Sequence, residues 1–189
     1  MTNKLLCDKY NISLYQNIKD NNNVTFNIQF DIEKNSKYLY QLMNKSLFQL
    51  IFDLNTDTLE KISISENTDN TLNVFTEYKN IGTKFGFAKQ YSSVNISKIE
   101  KNNIIIFKSK QQDIPKTVKI SKNSEIIDTN YTIFSFDFTD KESGKVKCIY
   151  ETSYNALDDS TNLTKRYVGL LLKKMLIRLK VFVEEYDKK

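Results

Sequence analysis

Val24, Phe26, Ile28, Phe30 and Ile32 alternate with Thr25, Asn27, Gln29, Asp31 and Glu33. A period of two marks a strand with one buried and one wet face. Directly afterwards the period changes. Leu39, Leu42, Met43, Leu47, Leu50, Ile51 and Leu54 recur at spacings of three and four, predicting an amphipathic helix capped by Asn35 or Ser36. Residues 55–70, rich in Thr, Asn, Asp and Ser, read as a loop. Residues 1–23 form a polar N-terminal extension whose pattern leaves strand, helix or unstructured arm open.

From about 71 to 154 the chain reads as five or six antiparallel strands. Leu72, Val74, Thr76 and Tyr78 alternate before a turn near Gly82. Residues 84–97 carry Phe85, Phe87 and Tyr91 on one parity and Val94 and Ile96 on the other, which predicts a bulge near Ser92-Ser93. Short strands follow at Ile104–Phe107 and, behind Pro115, at Thr117–Ser121. Thr132, Phe134, Phe136 and Phe138 then share a face. Turn residues Asp140–Gly144 return the chain into Val146, Cys148, Tyr150, Thr152 and Tyr154, the strongest hairpin signal present. After the polar loop 158–162, Val168, Leu171, Leu172, Met175, Leu176, Leu179, Phe182, Val183 and Tyr186 make one wide apolar stripe. It predicts a helix over about 163–187, roughly 37 Å long at about 1.5 Å per residue.

This order is α+β. An antiparallel sheet with one apolar face needs a cover, and the closing helix has an apolar face to offer. A curved sheet wrapped around one long helix leaves room between them, where apolar ligands bind.

Composition narrows the chemistry. The 189 residues include no His and no Trp, two Cys, four Gly and one Pro. Without imidazole, His-dependent metal sites and triads are excluded. Four scattered glycines build no phosphate cradle. The net charge of +5 and the Lys-rich, Asn-rich bias suit an AT-rich genome and give only general attraction to polyanions. Cys7 and Cys148 lie far from any CxxC spacing and suit a reducing compartment. No apolar run reads as a signal peptide or membrane span, so the expected location is the cytoplasm.

Four stretches resemble a known superfamily: FNIQFDIEKNSKYLYQLMNKSLFQLI (26–51), EYKNIGTKFG (77–86), CIYETSYNA (148–156) and LLLKKMLIRLKVFVEEY (170–186). Together with the element order they resemble the helix-grip fold of the START and birch-pollen-allergen superfamily (SRPBCC). More narrowly, they resemble an uncharacterised branch found mainly in low-GC bacteria. The likeness spans residues 24–187, implying one helix-grip domain over 24–189 and importing no activity.

The sharpest candidate site is the space between sheet and closing helix, lined by Phe134, Phe136, Tyr150, Tyr154, Leu172, Met175, Leu176 and Leu179. Such a lining would hold a small apolar or amphipathic ligand without cofactor or metal. The competing reading is a side-chain-filled core serving as a protein-interaction scaffold. No catalytic residue stands out. Glu151 falls on the parity opposite Tyr150 and reads as an exposed strand carboxylate. Lys165, Arg166, Lys173, Lys174, Arg178 and Lys180 could meet an anionic membrane or nucleic acid. With the helix's apolar stripe claimed by the sheet, these cations read as its solvated outer face. Nucleic acid is disfavoured, and a membrane surface has only general charge in its favour.

Overall fold

Once the side chains of Val24, Phe26, Ile28, Phe30 and Ile32 leave water, the strand carrying them needs neighbours on both edges. A computed structural model supplies them; it describes residues 4–19, 22–79, 88–116, 118–140, 142–156 and 161–186. The strands are β1 (Lys4–Lys9), β2 (Ile12–Lys19), β3 (Asn23–Ile32), β4 (Leu59–Glu66), β5 (Leu72–Tyr78), β6 (Lys89–Lys101), β7 (Ile104–Gln111), β8 (Ser124–Ile126), β9 (Thr129–Asp137) and β10 (Val146–Asn155). The helices are α1 (Ser36–Gln41), α2 (Lys45–Asp53) and α3 (Asn162–Glu185). One sheet runs β1-β2-β3-β10-β9-β7-β6-β5-β4 with antiparallel neighbours, and β8 adds a parallel pairing to β6. This is the α+β helix-grip architecture: a curved antiparallel sheet against a long C-terminal helix.

Residues 4–19, within the extension left open above, form the β1–β2 hairpin, and β2 pairs with β3 from Ile12↔Phe30 to Lys19↔Asn23. Ile12 and Leu14 are fully buried. Tyr10 and Asn11, at φ 62° and 55°, make the tight turn. Among the described residues, six of the seven non-glycine residues with positive φ are Asn. Asn tolerates the left-handed region better than other side chains do. It takes the turn positions that a glycine-poor chain cannot fill with Gly.

Several expectations are corrected. The helix over 35–54 is two helices, broken where Asn44 adopts an extended backbone and caps α2, its side chain accepting from the Ser46 N–H at 2.8 Å. Asn35 does not cap α1 with its side chain. Its Nδ2 donates instead to the Val183 carbonyl at 2.7 Å, tying α1 to the end of α3. The loop expected over 55–70 contains strand β4. Register between β5 and β6 runs unbroken through Thr76↔Ser92 and Phe75↔Ser93, so no bulge lies there. The short strand at Ile104–Phe107 extends to Gln111, and no strand forms over 118–121, the next being β8. The turn near Gly82, together with Phe85 and Phe87, lies outside the described residues.

Helix α3 begins at Thr161, whose hydroxyl accepts from the Thr164 N–H at 3.2 Å, and lies along β2 and β3. Lys173 Nζ donates to the Ile12 carbonyl at 2.6 Å, Lys180 Nζ to the Asp31 carbonyl, and Glu33 N–H to the Glu184 carboxylate at 2.8 Å. The lysines of α3 are therefore not all on a solvated face. Lys165, Lys173 and Lys180 are buried. The stems of Lys173 and Lys180 cover apolar surface while their ammonium groups find strand carbonyls. Lys174 and Arg178 bind Asp57 at the end of α2.

Candidate functional site

Strand register decides which side chains face α3. Cys148↔Phe30, Tyr150↔Ile28 and Thr152↔Phe26 place the even positions of β10 on the face that β3 buries. On the other edge Phe136, Phe134 and Thr132 oppose Cys148, Tyr150 and Thr152. Beyond them Ile105, Phe107 and Ser109 continue the same rows on β7. The inner face is thus an apolar wall with a band of hydroxyls across it.

Four of the eight expected lining residues are buried, Phe134 and Phe136 on this wall and Leu176 and Leu179 on α3, and Tyr150 is partly buried on the wall. Phe134 and Phe136 are buried with ring centroids 4.2 Å apart, and Tyr150 meets Phe134 edge-on at 5.4 Å. Leu176 and Leu179 are buried on α3. Tyr154, stacked on Phe26 at 6.1 Å, and Leu172 pack against the same core while keeping some accessible area. Met175 is half-buried on the same helix. Glu151 is on the outer face, where it accepts from Asn27 Nδ2 at 3.0 Å and from the Tyr131 hydroxyl at 2.9 Å.

The hydroxyl band was not part of the expected lining. Thr132 and Thr152 share a hydrogen bond of 2.9 Å, and Thr152 also reaches the Tyr131 carbonyl at 3.3 Å. Tyr150 lies two residues before Thr152 on the same inner face of β10 and pairs with Phe134, the neighbour of Thr132 on that face of β9. Burial pushes the Tyr150 phenol far above its ordinary range, Tyr78 adds to the rise, and the two threonine hydroxyls oppose it. Burial likewise raises Tyr78, against a hydrogen bond from Ser92, and raises Tyr154. All three phenols therefore stay neutral and able to donate. The signal for this band was present in the alternation: Thr132 and Thr152 sit on the buried parity of otherwise apolar strands.

Neither of two openings at the surface of the described residues touches the eight expected lining residues. The larger, about 1050 Å³, lies where β7 and β9 part company beyond the rung Ser109↔Thr132. Ser109 and Thr132 of the inner face and Lys108 and Ile133 of the outer face all border it. The second, about 580 Å³, is an outer groove between α2 and α3 containing Asp57, Arg178 and Phe182. No described helix is long and apolar enough to cross a membrane.

With this geometry in hand, comparison with solved structures is informative. Human STARD10 superposes with a TM-score of 0.73 at 11% identity, covering 98% of this chain and 74% of that one. The lipid transfer and protein localization domain of human StarD13 gives 0.72 at 10% identity, over 95% and 88% of the two chains. The chain has the START-like helix-grip fold. A STAR-related lipid transfer protein from Xanthomonas axonopodis follows at 0.69 and 10% identity, over 95% of this chain and 97% of that one. No family model and no curated protein matches the sequence, so the narrower likeness to a low-GC bacterial branch rests on its residues alone.

Proposed function

We propose that this START-like chain is a non-catalytic binding module for a small apolar or amphipathic molecule held between the sheet and α3. The observation that carries the reading concerns Tyr78 and Tyr150. Both keep accessible area, yet both phenols are desolvated by the protein around them. Inner-face side chains that protein surrounds without closing over them completely support room for a guest between the sheet and α3. Leu172 and Met175 on α3 and Tyr154 on β10 also retain area on the apolar surfaces that meet there. An interior lined by Phe, Tyr, Leu and Met suits hydrocarbon, since each buried CH₂ of a guest is worth about 0.8 kcal/mol. The solved relatives named for lipid transfer support the same reading.

Nile red, a neutral apolar dye, tests it. The expected result is saturable one-to-one binding with blue-shifted emission, weakened in Leu172→Trp, whose larger side chain occupies the space while circular dichroism stays unchanged. Non-saturable binding, or the same affinity in Leu172→Trp, contradicts the proposal and favours a filled core acting as a scaffold.

A further inference from the structure

Resting on that proposal, the hydroxyl band says what kind of guest the space selects. Thr132 on β9 and Thr152 on β10 share a hydrogen bond, Tyr150 lies two residues before Thr152 on the same face of β10, and Ser109 on β7 continues the Thr152–Thr132 rung. Tyr78 on β5 and Ser92 on β6 add hydroxyls to the same inner face farther along the sheet, Ser92 opposite Thr76. Buried polar groups keep their place in an apolar wall when they have partners. Here the internal bonds leave capacity over.

The three hydroxyls of Thr132, Tyr150 and Thr152 carry three protons. With Thr132 donating to Thr152 and Thr152 donating to the Tyr131 carbonyl, two are used. The Tyr150 proton remains, together with unfilled lone pairs on Thr132. That set can donate one hydrogen bond to a guest and accept another.

Charge is what the band lacks. The inner-face positions of β5, β7, β9 and β10 hold Leu, Val, Ile, Phe, Cys, Tyr, Thr, Ser and Gln but no carboxylate or ammonium. Lys98 and Glu100, on the inner parity of β6, pair with each other at 3.0 Å, and Glu100 also takes the Tyr40 hydroxyl. On α3, Lys173 and Lys180 are engaged by strand carbonyls, and Lys174 and Arg178 by Asp57. Among the described residues of these strands, a carboxylate or phosphate drawn to the band would meet no counter-ion, and a desolvated unpaired charge is strongly unfavourable. An alcohol or ester oxygen meets no such cost.

We infer that the site selects an uncharged amphiphile, its hydroxyl or carbonyl oxygen held by Tyr150, Thr132 and Thr152 and its hydrocarbon against Phe134, Phe136 and the α3 leucines. The test is displacement of Nile red at pH 8 by four ten-carbon probes: 1-decanol, methyl decanoate, sodium decanoate and decane. Decanol and methyl decanoate are expected to compete at least tenfold better than decanoate. Tyr150→Phe, which removes one oxygen and keeps the ring, is expected to cut decanol affinity roughly three- to tenfold and leave decane unaffected. Thr132→Val provides a second, independent removal with the same expected pattern. Decanoate binding as well as decanol, or Tyr150→Phe weakening decane equally, overturns the head-group assignment while the binding proposal stands. Wild-type protein that takes up neither Nile red nor any probe overturns both.

Discussion

A Cβ built on Gly169 of α3 would lie 2.5 Å from the Phe26 ring of β3, with two more ring atoms at 2.9 and 3.0 Å. Helix and sheet touch through a missing side chain. Phe26 is fully buried and stacked on Tyr154, so its ring has no room to retreat. Gly169→Ala gains up to about 1 kcal/mol of helix propensity but must push α3 off the sheet, at a typical cost of about 1–3 kcal/mol. A lower urea midpoint is therefore expected. A raised midpoint would mean that the contact between α3 and β3 is looser than described.

Asp57 joins the end of α2 to the outer side of α3. Arg178 holds both its oxygens and Lys174 one, and hydrogen bonds from these two cations keep its carboxyl well below the usual carboxylate range. A carboxyl so depressed adds stability above its unfolded pKa of about 3.9, and the contribution fades as pH falls toward the folded value. Asp57 is half exposed, so screening limits the effect to about 1 kcal/mol or less. Asp57→Asn is expected to lower stability by a constant small amount above pH ~5 and by progressively less below pH ~4. A stability difference that grows on acidification would contradict this.

Much of this architecture was legible. Strand β3 and the β9–β10 hairpin announce themselves because every second residue is apolar and the other faces water. Strands β2 and β4 were obscured for opposite reasons. In β2 the buried parity runs Ile12, Leu14, Gln16, so a polar residue occupies an interior position and breaks the pattern. In β4, an edge strand, Ile62 and Ile64 are only half-buried among Lys, Ser and Glu. The break between α1 and α2 needed the extended backbone of Asn44, which helical spacing on both sides conceals. On the sheet's inner face, apolar residues can be read by counting alternation, whereas the hydroxyl band emerges only when register aligns threonines from two strands.

The buried tyrosines have a thermodynamic signature. Their folded pKa values are raised, so the folded state holds protons that the unfolded state releases near pH ~10. Their contribution is complete below that pH and is lost as pH rises through the folded values. Alkaline titration followed at 295 nm is expected to show an ordinary group of phenols and a late group including Tyr78, Tyr150 and Tyr154, ionising only with unfolding. Replacing all three by Phe is expected to remove the late phase. A late phase that persists would place the buried phenols elsewhere.

The two thiols differ in reach. Cys148 is buried on β10 and its thiol is raised well above the ordinary value, chiefly by burial. Cys7 is partly exposed on β1, where Lys173 Nζ approaches its sulfur at 3.2 Å. Ellman's reagent is expected to modify one thiol per native chain promptly and the second at the rate of unfolding. Equal prompt reaction of both would contradict the burial of Cys148.

On the proposed function, a guest occupies the space between the sheet and α3. Native mass spectrometry of the protein, taken after mixing with a neutral lipid extract and removing excess, measures this directly. One added small-molecule mass per chain is expected, retained under gentle conditions, lost on denaturation and diminished in Leu172→Trp. A bare chain mass in every spectrum would contradict it.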